Sequence, residues 1–141
     1  MKKLLLILVT ILMAACGANS ENTQTKTDFL NSIQGKWTVS EIKDISKESL
    51  SSNKKTPALN ITEAKISGNN GCNNYFSSII NIDKKTIEFS QFGETRMMCP
   101  EMKVSDTFGK LLTKTTTYSL KAKTLTFFNA EGVKVLVFVK S

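Results

Sequence analysis

Pro100-Glu101-Met102-Lys103-Val104-Ser105-Asp106-Thr107-Phe108-Gly109-Lys110-Leu111-Leu112-Thr113 is the one long stretch of helical periodicity in this 141-residue chain. Val104, Phe108, Leu111 and Leu112 stand at i, i+4, i+7 and i+8 and form one apolar stripe. Pro100 suits a first helical position, where its missing N–H would go unpaired in any case. Glu101 in the first turn favours the positive end of the helix dipole. The spacing predicts one main helix over about residues 100–113.

Outward from that helix the chain reads as strands. Gly35-Lys36-Trp37-Thr38-Val39-Ser40-Glu41-Ile42 alternates large apolar and polar residues from Trp37 onward, the period-2 signal of a half-buried strand. Residues 46–56 are polar and Pro57 would interrupt a strand, so this stretch reads as a loop. Residues 59–62 and 64–66 are strand-like. Gly68-Asn69-Asn70-Gly71 reads as a turn, because Gly and Asn tolerate positive φ. Residues 75–82 and 82–89 suggest two strands joined by a short charged turn, a hairpin. Beyond the helix, residues 117–120, 124–128 and 133–139 are again strand-like. In the last of these Val133, Val135, Val137 and Val139 share one face and Leu136 and Phe138 the other, as in a strand covered on both sides. Many short strands and one helix predict an α+β domain, a curved antiparallel sheet or open irregular β-barrel packed around the helix.

The chain begins Met1-Lys2-Lys3, continues with an apolar run over residues 4–13, and reaches Ala14-Ala15-Cys16. This charged, apolar, small-residue order is that of a secretory signal. The run is half the roughly 20 residues that a spanning helix needs. Cys after two small residues resembles a lipobox, in which residues 1–15 are removed and Cys16 is acylated, for example with palmitate. The alternative is a plain secreted protein with a spare thiol at Cys16. By the same resemblance, Gly17 after the acylated residue favours the outer membrane of a diderm cell envelope. Residues 16–28 are polar and aperiodic and read as the acylated Cys and a flexible tether. Residues 29–141 are the size of one domain with one core.

The charge of +7 falls to +5 once Lys2 and Lys3 are removed. Lys is spread along the sequence and aromatics occupy alternating, core-like positions, which argues against nucleic acid as a partner. The basic excess reads as a solvated surface, with attraction to anionic envelope polymers or lipid headgroups as the alternative.

Two segments stand out together: Gly71-Cys72-Asn73-Asn74-Tyr75-Phe76, and Thr95-Arg96-Met97-Met98-Cys99-Pro100-Glu101-Met102. With Gly35-Lys36-Trp37 they resemble the META domain, the family of the HslJ-like heat-inducible lipoproteins, over about residues 30–139. The resemblance implies an open antiparallel barrel holding a helix, an envelope location, an association with stress or drug tolerance, and no defined enzymatic activity. The departures are the polar loop before Pro57 and Gly109 inside the proposed helix.

If Cys16 is acylated, Cys72 and Cys99 remain as a pair in an oxidising compartment, and a disulfide is the expected outcome. It would close a loop of about 28 residues and add roughly 3–4 kcal/mol on the chain-entropy model. The competing reading is a redox or metal-binding thiol pair, against which stand the long spacing and the absence of His from the chain. No cofactor or metal is expected. Asn73 and Asn74 would hold a tight turn, or offer amides to a ligand. Met97 and Met98 would fill gaps in the core, since adjacent residues on an extended segment point apart and cannot share one soft metal ion. Arg96, the only arginine, could clamp a carboxylate or phosphate, but a local pair with Glu94 or Glu101 is the plainer expectation.

No catalytic residue is expected. There is no His to act as general base, no phosphate loop before a helix and no nucleophile elbow. The expected function is therefore non-catalytic: a membrane-tethered module that engages a hydrophobic ligand or an envelope protein, with Phe108, Leu111 and Leu112 either facing a groove or filling a dry core. The alternatives are a protein-inhibitor or chaperone-like factor and an undetected hydrolase.

Overall fold

The computed structural model describes residues 24–141. The expected signal segment, Cys16 and most of the tether lie outside the described residues. The chain enters through α1 (Lys26–Ile33), capped by Thr25 and Asp28, each side chain meeting the other's backbone N–H. The last residues assigned to the tether, 26–28, thus form the first turn of a helix. Ile33 at its end is fully buried, and its carbonyl accepts the Trp37 indole N–H at 2.8 Å, which ties the helix to the start of β1 (Gly35–Ile42).

Along β1 the alternation places Trp37 and Val39 inside. A bulge between Val39 and Glu41 then shifts the phase, so Ile42 also points inward. The polar stretch that follows holds a short helix, α2 (Lys47–Ser52), which corrects the expectation of a plain loop. Ser46 accepts the Ser49 N–H as its cap, and the lone apolar Leu50 is the residue it buries. There follow β2 (Ala58–Thr62), β3 (Lys65–Asn69), β4 (Asn74–Ile82), β5 (Ile87–Phe89) and β6 (Gly93–Glu94). After them come α3 (Lys103–Thr113), β7 (Thr115–Lys121), β8 (Thr124–Asn129) and β9 (Lys134–Lys140).

The strands form one antiparallel sheet in the order β5-β4-β3-β2-β1-β9-β8-β7, with β6 added to β4. Its end strands meet at a single bridge, Thr86 to Thr117, beside which the Tyr118 N–H donates to the Lys85 carbonyl at 2.8 Å. The sheet is thus an almost closed barrel around α3, the α+β architecture that the sequence implies. β9 lies between β1 and β8, and Val135, Leu136, Val137 and Phe138 are all buried. Six aromatic rings form a closed circuit in the core, Tyr75–Phe108–Phe138–Phe127–Phe89–Phe92 and back to Tyr75, with centroids 5.3–6.4 Å apart. Pairs at such spacings add about 0.5–1.5 kcal/mol beyond area burial.

Two boundaries differ from expectation. Gly68 and Asn69 belong to β3 and the turn is residues 70–73, because a side chain at Gly68 would collide with the Ala58 carbonyl and the Tyr75 hydroxyl, where only a glycine strand fits. The helix begins at Lys103 rather than Pro100. Cys99 is held by a disulfide, its N–H points at Met102 Sδ (3.3 Å), and Glu101 caps from outside by accepting the Lys103 N–H at 2.9 Å. No helix among the described residues is long and apolar enough to cross a membrane.

Candidate functional site

The β3–β4 turn and the segment between β6 and α3 carry the two paired motifs, and the fold brings them side by side. In the turn, Asn69 Oδ1 accepts the Gly71 N–H at 2.8 Å, and Asn70 Oδ1 accepts those of Cys72 (3.0 Å) and Asn73 (2.7 Å). Gly71 has φ +105°, a conformation that a side chain would strain. Cys72 and Cys99 are joined as a disulfide with Cα atoms 6.0 Å apart.

Asn73 is 5% exposed and does the work of a β-bridge with its side chain. Its Oδ1 accepts the Met97 N–H at 2.7 Å and the Thr95 hydroxyl at 2.9 Å, while its Nδ2 donates to the Met97 carbonyl at 3.3 Å. The Thr95 N–H in turn donates to the Asn74 carbonyl at 3.0 Å. Residues 95–99 are therefore a strap, held to the turn by backbone, amide and disulfide together.

Between the strap and α3 opens a cleft of about 520 Å³. Tyr75, Phe92, Phe108 and Leu112 give it an apolar floor, and Glu94, Arg96, Asp106 and Lys110 line it with both signs of charge. The Tyr75 hydroxyl donates to the Ala58 carbonyl at 2.8 Å, and burial pushes its pKa far above the usual phenol range, so it stays a neutral donor. A second cleft, of about 630 Å³, follows the seam between β5 and β7 and shares Phe92 and Thr113 with the first. Among the described residues no group of three or more His, Cys, Asp or Glu side chains is placed to hold a metal ion.

The META domain family matches residues 29–141, most of the chain. The chain belongs to the META domain family. Two solved structures share the fold. An NMR structure of a protein from Burkholderia xenovorans is 21% identical, with a TM-score of 0.56 over 77% of this chain and 82% of that one. A second NMR structure is 20% identical, with a TM-score of 0.56 over 75% of this chain and 88% of that one. No curated protein matches the chain by sequence.

In this META domain Asn73, Arg96, Met97 and Met98 all line the cleft, whereas Asn74 is exposed beside it and accepts from Asn69 Nδ2 at 3.1 Å. Two expectations are corrected. Met97 and Met98 do not fill the core: they are 51% and 90% exposed, because the side chain of Asn73 and the disulfide hold the strap by its backbone and leave its side chains free. Arg96 makes no ion pair among the described residues, and Glu94 instead faces Asn70 Nδ2 at 3.4 Å. Phe108 and Leu112 are both core and cleft floor, and Leu111 lies outside the cleft. Sequence reasoning missed Tyr75 and Phe92 as floor residues. Tyr75 belongs to the Gly71–Phe76 segment, but nothing in the linear pattern marks which core aromatics end at a cavity.

Proposed function

We propose that this META domain is a non-catalytic binding module of the cell envelope, which holds an amphipathic ligand with an apolar body in the cleft between strap and α3. The observation that carries the reading is an apolar-floored cleft roofed by a strap whose methionines remain in water. Solvent-exposed Met side chains cost hydration free energy, and as unbranched, polarizable groups they adapt to varied apolar partners. The pinned backbone supports preorganisation: little ordering entropy would be spent on closing the site. The mixed rim suits a ligand with a polar end.

The placement in the envelope rests on the N-terminal sequence, with residues 1–15 as a signal segment and Cys16 acylated at the outer membrane. The role in stress tolerance or envelope maintenance rests on the family resemblance. A protein segment is the second occupant to consider, in an inhibitor or chaperone-like role, and Met98 at 90% exposure favours it. Native mass spectrometry of the exported protein, before and after denaturation, separates these readings. An adduct lost on denaturation, and saturable one-to-one uptake of a long-chain fatty-acid probe, are the expected results. A bare mass with no saturable uptake would remove the small-ligand reading.

A further inference from the structure

The lysines that look scattered in the sequence converge at one end of the barrel. The strand registers define that end. Lys140 pairs with Trp37 beside Lys36, the Lys140 N–H donates to the Lys123 carbonyl, and Lys121 pairs with Thr124 across the β7–β8 turn. Lys65 closes the β2–β3 turn opposite Thr62, and the Ile79 N–H donates to the neighbouring Ala64 carbonyl. Lys84 and Lys85 occupy the β4–β5 turn, which is tied to β7 through the Tyr118 hydroxyl on the Asp83 carbonyl. Lys26 of α1 completes the set, with its ammonium on the Ile80 carbonyl at 2.7 Å.

Of the 17 basic and 11 acidic side chains in residues 24–141, this end carries eight lysines against Asp28, Glu63, Asp83 and Glu88, the last opposite Asn81. The rest of residues 24–141 carries nine basic against seven acidic side chains, a much smaller excess. Both ion pairs among the described residues, Lys43–Asp44 and Lys134–Glu41, lie elsewhere, so the eight lysines are exposed and free of ion pairs. The Lys26 and Lys140 ammonium groups rest on the Ile80 and Gln34 carbonyls, and that of Lys140 is also 4.8 Å from the centre of the Trp37 ring. Ile80, half exposed, sits beside Lys26 among them. Cys72, Asn73 and the cleft are at the opposite end, where β3 passes into β4.

We propose that this basic end docks on an anionic phospholipid surface and so points the cleft away from the membrane. Charge complementarity selects the occupant: lysines without acidic partners, with an exposed apolar residue among them, match anionic headgroups over acyl chains. The described residues also begin at this end. Thr25 caps α1 at this end, nine residues from Cys16, at most about 30 Å when extended. This last step rests on the anchoring reading above, and the charge asymmetry does not.

Lysine acetylation footprinting of the purified full protein on vesicles tests the proposal, read residue by residue by mass spectrometry. On vesicles with about 30 mol % phosphatidylglycerol, Lys84, Lys85, Lys121 and Lys123 should react about threefold or more slowly than on pure phosphatidylcholine. Lys54, Lys55 and Lys110 should be unchanged, and the protection should vanish in about 0.5 M salt. Flotation with phosphatidylcholine vesicles reads the anchor separately. Equal footprints on the two lipids, or protection at the cleft end, would overturn the docking face whatever the state of Cys16. Protection by soluble polyphosphate but not by vesicles would overturn it as well.

Discussion

Asn73 holds both backbone groups of Met97: it accepts the Met97 N–H at 2.7 Å and donates to the Met97 carbonyl at 3.3 Å. A buried amide thus stands in for a strand neighbour at a place where the chain leaves the sheet. Truncation as Asn73→Ala would strand those groups and the Thr95 hydroxyl. The expected cost is about 1–3 kcal/mol in urea unfolding, the range for leaving a buried polar group unsatisfied. Hydrogen exchange localises the effect: the Met97 amide should lose protection while amides of β9 keep theirs. A uniform change across the domain would count against the bracket.

The disulfide and the amide act on the same strap. Cys72 and Cys99 are 27 residues apart, and the chain-entropy model gives roughly 3–4 kcal/mol for a loop of that length. The double variant Cys72→Ala/Cys99→Ala should lose about that much, measured by urea unfolding under non-reducing conditions. The strap, being still held by Asn73, should remain ordered at low temperature. If the double variant matches the wild type in stability, the reduced strap is already tied down and the cross-link is redundant.

These bonds show what the sequence discloses and what it hides. The alternations at Trp37–Val39 and Val135–Val139 and the stripe Val104–Phe108–Leu112 were legible because strand and helix repeats are local. The Pro100 start was not, since a disulfide and a side-chain cap outside the helix overrode a good local signal. Met97 and Met98 were misplaced for a similar reason: apolar residues normally go inside, but here a distant Asn fixes their backbone at the surface. The basic end was invisible because its lysines come from six separate turns and element ends, which only the strand registers bring together.

Acid should destabilise the fold through a few exposed carboxylates. The backbone N–H groups of Thr86 and Lys85 hold Asp83 below its ordinary value of 3.8, and Thr25 does the same for Asp28. A carboxylate whose pKa is lower in the folded state contributes its stability fully above the unfolded value and loses it as pH falls through the folded one. Stability should therefore be flat from neutral pH down to about 4 as far as these groups decide, and fall below it. In Asp83→Asn, which keeps an acceptor without titrating, the fall between about pH 4 and 2 should be shallower by urea unfolding at each pH. An unchanged slope would show that Asp83 is not one of the groups responsible.

Gly109 offers the sharpest test of the cleft. It lies inside α3, where glycine costs about 1 kcal/mol relative to alanine, yet a Cβ added there meets nothing within 4 Å. The empty space above it belongs to the cleft, since Gly109 is one of its lining residues between Phe108 and Lys110. Gly109→Ala should therefore stabilise the domain by about 0.5–1 kcal/mol and leave most of the cleft open. Gly109→Leu should keep much of that gain while its side chain occupies the space a ligand would use. Stability and binding then move in opposite directions, which no folding defect can imitate. Thermal unfolding reads the first, and titration with a long-chain fatty-acid probe the second, with a loss of at least about tenfold for Leu and little for Ala, since filling a pocket adds steric cost where contacts are lost. If both variants bind the probe as the wild type does, the ligand sits elsewhere, and the seam cleft beside Phe89 and Thr115 becomes the place to look.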